Sequence, residues 1–144
     1  MIAAEGRPIA VRVLVTLLVF QGLSGVAGGY GLTRDPTGSA VGLDLRWLEG
    51  SPFPDYLVPG VVLLLALGIV PLVVAAGILW RLRGAWLASL LVGLALINWI
   101  GVQVAIIGYI SQPPLQLIYG LVGVGLVATA LLPAVRQHVM RRRR

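Results

Sequence analysis

Four predominantly apolar runs, at 9–29, 59–80, 85–109 and 114–135, constrain this chain more than any other feature. About 20 apolar residues, rising about 1.5 Å each, cross the hydrocarbon of a bilayer as a helix. The runs are 21, 22, 25 and 22 residues long, 90 of the 144 in the chain. Where no water reaches the backbone, every N–H and C=O must be paired within the structure, which leaves helices and closed barrels. A barrel needs strands of alternating character, and these runs do not alternate. The expected fold is all-α: a membrane four-helix bundle forming one integral membrane domain, with a structured outer loop over 30–58 and a basic tail over 136–144.

The remaining residues exclude several function classes. Apolar residues make up 58% and charged residues 11%, against roughly 45–50% and about 25% in a soluble domain, so a soluble enzyme is excluded. Cysteine is absent, which removes thiol catalysis, disulfides, iron–sulfur clusters and thiolate zinc sites. Lysine is absent too, so no Schiff base can form. His138 is the one histidine and falls in the tail. No metal site and no bound cofactor is expected.

Charge sets the orientation. Arg7 precedes the first run and Arg12 lies in its first turn, where a long side chain can snorkel to the headgroups. Arg81 and Arg83 fill the turn between the second and third, and Arg136, Arg141, Arg142, Arg143 and Arg144 follow the fourth. Only Arg34 and Arg46 of the eleven arginines fall on the other side, beside Asp35, Asp44, Glu49 and Asp55. The positive-inside rule places both termini in the cytoplasm. A competing reading makes the first run a signal peptide: Arg12, the stretch 13–20, then small residues at Gly25, Val26 and Ala27.

Lipid provides no hydrophobic drive between helices, so close backbone approach and interhelical hydrogen bonds hold such bundles. Gly22, Gly25, Gly28 and Gly29 in the first run, Gly101, Ala105 and Gly108 near Asn98 in the third, and Gly120, Gly123, Gly125 and Thr129 in the fourth read as packing seams. Gly68 and Pro71 mark a bend in the second, because proline removes a bond to the carbonyl four residues back. The bend is either static or a hinge that frees a carbonyl. Pro59 sits in the first turn of that helix, and Asp55 is placed to cap its start.

In the loop, residues 34–38 (Arg-Asp-Pro-Thr-Gly) signal a turn. Val41, Leu43, Leu45 and Trp47 alternate with Gly42, Asp44 and Arg46, the period of an extended strand with one apolar face. Asp44 and Arg46 share the opposite face and can pair. The loop reads as a cap over the outer end of the bundle, either simple closure or a lid over a pocket.

No ionisable residue lies in the interior of any run, whereas proton and cation transporters use one. Small multidrug exporters of similar size carry a membrane glutamate that this chain lacks. The polar residues at depth are neutral. Asn98 lies roughly 20 Å into the third run, and Gln103, Gln21 and Tyr119 lie roughly 9, 12 and 8 Å below the outer surface at 1.5 Å per residue. Gln116 is higher. Trp99 and Gln103 share a helix face, and Asn98 points about 140° from Gln103. Gln21, Trp99, Gln103, Gln116 and Tyr119 therefore form a candidate outer-leaflet pocket for a lipid headgroup, a quinone-like ring or another neutral ligand. The bland alternative is that these amides bond to neighbouring helices. Arg136 and Arg141, Arg142, Arg143 and Arg144 are expected to contact anionic lipid, at about 1 kcal/mol each, with no nucleic-acid partner.

The stretch 42–56, GLDLRWLEGSPFPDY, followed by Pro59-Gly60, resembles the loop of a group of small bacterial four-helix membrane proteins. Residues 99–103 (WIGVQ) and 115–120 (LQLIYG) are similar to their later part, and the layout is loosely similar to DoxX-like proteins. The resemblance implies a bacterial inner-membrane protein, singles out Trp99, Gln103, Gln116 and Tyr119, and implies no reaction. The expected role is non-enzymatic: an accessory or scaffold subunit that binds a lipid, another membrane protein or a second copy of itself. The alternatives are a transporter or channel for a small neutral or anionic solute, and a quinone- or lipid-binding subunit of a membrane enzyme.

Overall fold

A computed structural model describes residues 6–141, and Arg142, Arg143 and Arg144 lie outside the described residues. The described chain is all-helical. Helix α1 is Ile9–Arg34 and α2 is Leu57–Leu79, with a π-helical turn at Leu65–Ile69 inside it. Helix α3 is Arg83–Ile107, α4 is Leu115–Ala130 and α5 is Pro133–Met140. Helices α1, α2 and α3 are each long and apolar enough to cross a membrane. A single core joins all five helices, from Val11, Leu14 and Leu18 through Leu67, Ile78 and Leu96 to Leu126, Val135 and Val139.

The fourth run departs from expectation. Instead of one helix over 114–135, α4 stops at Ala130, and α5 leaves at 61° to it. Pro133 explains the break: it disfavours helical backbone at Leu132, which is extended (ψ 133°), and it supplies no N–H of its own. The tail expected from residue 136 is therefore helical through Met140, with Val135, His138 and Val139 buried and Arg136, Gln137 and Met140 exposed. Helix α1 runs five residues past its expected end, since Leu32 is still buried and packs on Gly60. Helix α3 ends two residues early, at Gly108, whose φ is 74°.

The α1–α2 contact is built on glycine. A Cβ on Gly25 would stand 2.1 Å from the Leu67 carbonyl oxygen, and one on Gly29 would stand 2.4 Å from the Leu64 nitrogen. Gly22, one turn earlier, lies under Leu72 and the Gly68 carbonyl. Of the other expected seams, Gly123 packs on Ile97 between α3 and α4. Gly101 and Gly108 have nothing within 4 Å of a Cβ position, so the Asn98–Gly108 stripe lies on the outside of the fold.

The segment between α1 and α2 is not a strand. It forms two 3-10 turns, Ser39–Val41 and Leu45–Leu48. Two local features bend it: Gly38 and Gly42 sit at φ 81° and 73°, and the Asp44 carboxylate accepts the Arg46 N–H. No second strand among the described residues offers backbone partners for an extended conformation. The expected Asp44–Arg46 pair forms, at 2.6 Å. Tyr56 anchors the segment: it is buried against Gly38, its N–H donates to the Pro36 carbonyl, and its hydroxyl donates to the Asp44 carbonyl at 2.8 Å. Asp55, one residue before the N-cap position held by Tyr56, accepts the Leu57 N–H at 2.9 Å, the first of α2.

Asp35 organises the first turn. Its two oxygens accept the Ser39 and Thr37 hydroxyls, both at 2.6 Å, and the Ala40 and Thr37 N–H groups. Those donors, the Ser39 hydroxyl foremost, favour the carboxylate and lower its pKa from 3.8 to about 2. A depressed acid stabilises the folded turn above its unfolded pKa, and that contribution disappears as pH falls through the folded value. The turn is therefore expected to hold down to about pH 4 and to loosen towards pH 2. The Ala40 amide resonance should titrate with a midpoint near 2; a midpoint near 3.8 would show that the network does not form.

Candidate functional site

Two regions of the fold hold polar chemistry: the layer expected from sequence and the arginine-rich end.

The five expected residues do not share one role. Gln21 is 1% exposed in α1, and its Nε2 donates to the Leu67 carbonyl at 3.0 Å. That carbonyl lacks its usual helical donor because residue 71 is proline. Gln21 thus supplies from a neighbouring helix the hydrogen bond that Pro71 removes, while its own Oε1 is buried without a partner. Where a bend is expected, at Gly68 and Pro71, the backbone makes a π turn, in which the Val70 N–H reaches the Leu65 carbonyl.

Gln116 closes the turn between α3 and α4. Its Oε1 accepts the Ile110 N–H at 2.8 Å, and its Nε2 donates to the Gly108 carbonyl at 3.0 Å. Tyr119 stacks on Phe20 of α1 with ring centroids 6.0 Å apart. Trp99 is half-buried against the core, and Gln103 is half-buried on the same face. The structure thus brings Tyr119 to α1 and engages Gln21 and Gln116 with backbone groups.

Two open grooves lie at the opposite end, where α1 begins, α2 ends, α3 begins and α4 passes into α5. One, of about 510 Å³, is lined by Arg7, Arg12, Val11, Val15, Thr16 and Leu79. The other, of about 560 Å³, is lined by Trp86, Leu131, Pro133, Arg136, Gln137 and Met140. Each sets arginine beside an apolar wall.

Trp86 builds the second groove, and sequence reading did not single it out. Its Nε1 donates to the Ala130 carbonyl at 2.8 Å, one of the acceptors left over at the end of α4. Its ring face carries the Arg136 guanidinium 5.3 Å from the centroid, a contact of about 0.5–2 kcal/mol. The only sequence signal was a tryptophan three residues after Arg83, in the first turn of α3.

His138 lies at the same end, near Arg81 and Ile78. It is buried in α5, and its Nε2 has no partner. Burial and then the positive charge of Arg81 lower its pKa, with smaller contributions from Arg7 and Arg141, while a bond to the Ile78 backbone opposes them. The imidazole is therefore neutral in a positive environment. Arg81 is the one non-glycine residue with positive φ (57°) among the described residues. It occupies the left-handed position that ends α2, with the Leu82 N–H bonded back to the Gly77 carbonyl. No group of acidic residues or histidines among the described residues could hold a metal ion. What this end offers is fixed positive charge against apolar surface. No protein family, curated protein or solved structure matches the chain.

Proposed function

We propose that the chain is a small, non-enzymatic protein of the bacterial inner membrane that crosses the bilayer four times with both termini cytoplasmic. In this reading it is an accessory or scaffold subunit, holding anionic lipid at its arginine end and offering its outer helix faces to a membrane partner. The arginine end is the cytoplasmic one by the positive-inside rule. Helix α4 is the fourth span, and α5 lies along the headgroups with Arg136 outward. The first span is retained in the mature chain, because Gly22, Gly25 and Gly29 seat α2 and cleavage after Ala27 would remove most of that contact.

The observation that carries the reading is the pair of grooves at one end of the fold, each combining arginine with an apolar wall. The test is the intact protein in vesicles of phosphatidylcholine with phosphatidylglycerol, extracted in mild detergent and weighed with its retained lipid. Phosphatidylglycerol should be enriched over phosphatidylcholine. Arg7→Gln with Arg136→Gln should lower its retention about tenfold or more, at about 1 kcal/mol per arginine. Equal retention of the two lipids, or an unchanged ratio in the double variant, would overturn the lipid role. A reporter placing the C-terminus in the periplasm would overturn the topology.

A further inference from the structure

Helix α3 carries two seams. Ala85, Ser89, Val92, Leu96, Trp99 and Gln103 step by four and three residues along its inner face, and all are buried or half-buried. Leu87, Leu91, Leu94, Asn98, Gly101 and Ala105 step by four and three along the outer face, and all are exposed. The inner seam is filled by this chain's own helices; the outer one is empty. Helix α3 is also the least buried of the three long apolar helices.

Asn98 decides what covers the outer seam. It lies 15 residues into a 25-residue span, roughly 22 Å along it at 1.5 Å per residue. Its side-chain amide has no partner among the described residues. In hydrocarbon such a group has no water to turn to, and lipid tails offer neither donor nor acceptor. A primary amide both donates and accepts, so it is complementary to a copy of itself across a two-fold axis. In a parallel pair about an axis normal to the membrane, each Asn98 meets its counterpart at equal depth and exchanges two hydrogen bonds. Gly101, with nothing within 4 Å of its Cβ position, and Ala105 let the two backbones close on one side of that pair. A single asparagine at such a seam fixes register and oligomeric state in coiled coils.

We propose that the outer face of α3 is the interface of a parallel homodimer, registered by a reciprocal Asn98–Asn98 amide pair. The proposal rests on α3 spanning the membrane, as in the reading above; it does not depend on lipid binding at the arginine end.

The chain has no cysteine, so single-cysteine variants report without background. Leu94→Cys, Gly101→Cys and Ala105→Cys, each retaining Asn98, should form disulfide-linked dimers in vesicles under mild oxidation. Val73→Cys on α2 and Leu121→Cys on α4, at 64% and 63% exposed parents, should not. In a resonance-energy-transfer titration against lipid dilution, Asn98→Leu should raise the dissociation constant about tenfold, the weight of two interhelical amide bonds. Cross-linking that is absent at all three seam positions, or equal at Val73 and Leu121, would overturn the homodimer. So would seam cross-links to a different protein in native membranes, or an unchanged dissociation constant in Asn98→Leu. A misplaced C-terminus with an intact cross-linking pattern would sink the four-pass topology and leave the dimer standing.

Discussion

Gly25→Val is expected to be the most damaging single change in the molecule, costing more than about 3 kcal/mol through backbone overpacking. At Gly25 the added carbon would lie 2.1 Å from the Leu67 carbonyl oxygen and 2.8 Å from the Gly68 nitrogen. Backbone atoms cannot rotate aside as a side-chain tip can, so α1 and α2 must separate. Separation also exposes Leu67 and breaks the Gln21 bond to the same carbonyl. Gly84→Ala is the matched control: nothing stands within 4 Å of its Cβ position, and alanine favours the helix by about 0.5–1 kcal/mol. Thermal unfolding in detergent, followed by far-ultraviolet circular dichroism, should show a large fall for the first variant and none for the second. A near-native midpoint for Gly25→Val would mean that the helices do not meet there.

Gln21→Leu is expected to cost about 1–3 kcal/mol by leaving the Leu67 carbonyl buried and unpaired. Here the mechanism makes a sharper demand. The carbonyl needs Gln21 only because residue 71 is proline, so Pro71→Ala, which returns an N–H to that turn, should reduce the cost of Gln21→Leu to well under 1 kcal/mol. A double-mutant cycle reads this coupling directly. Additive effects would show that Gln21 and Pro71 act independently, and the interhelical bond would lose its significance.

The large features of this fold were legible because they follow from solvent. Runs of about 20 apolar residues dictate long helices, and α1, α2 and α3 lie within a few residues of where the runs place them. Local rules that depend on one residue also read well, as with Asp55 at the head of α2 and the Asp44–Arg46 pair. What escaped was whatever two rules contest. Residues 41–47 have the period of a strand, but a strand needs a neighbour, and Gly38, Gly42 and Asp44 turn the chain into 3-10 turns instead. The fourth apolar run is long enough for one helix, yet Pro133 divides it.

The candidate site was legible at the level of residue type and obscure at the level of partner. Gln21 and Gln116 stand out as amides in apolar segments, but hydropathy does not reveal that a backbone carbonyl or a turn awaits each of them. Asn98 carries the same sequence signal and has the opposite environment, exposed and with no partner among the described residues. Trp86 was hidden because its carbonyl acceptor, Ala130, is 44 residues away and exists only where α4 ends.

The borrowed hydrogen bond at Leu67 has a consequence for biogenesis. If both helices cross the membrane as proposed, α1 is delivered to the bilayer before α2, and the amide of Gln21 is already in place when the interrupted backbone of α2 follows it. The later helix is then never obliged to rest in hydrocarbon with an open carbonyl, and synthesis order itself becomes part of how the hairpin is made. Expressing the two helices as separate chains in reverse order would forfeit that advantage, even though every contact in the finished protein would be the same.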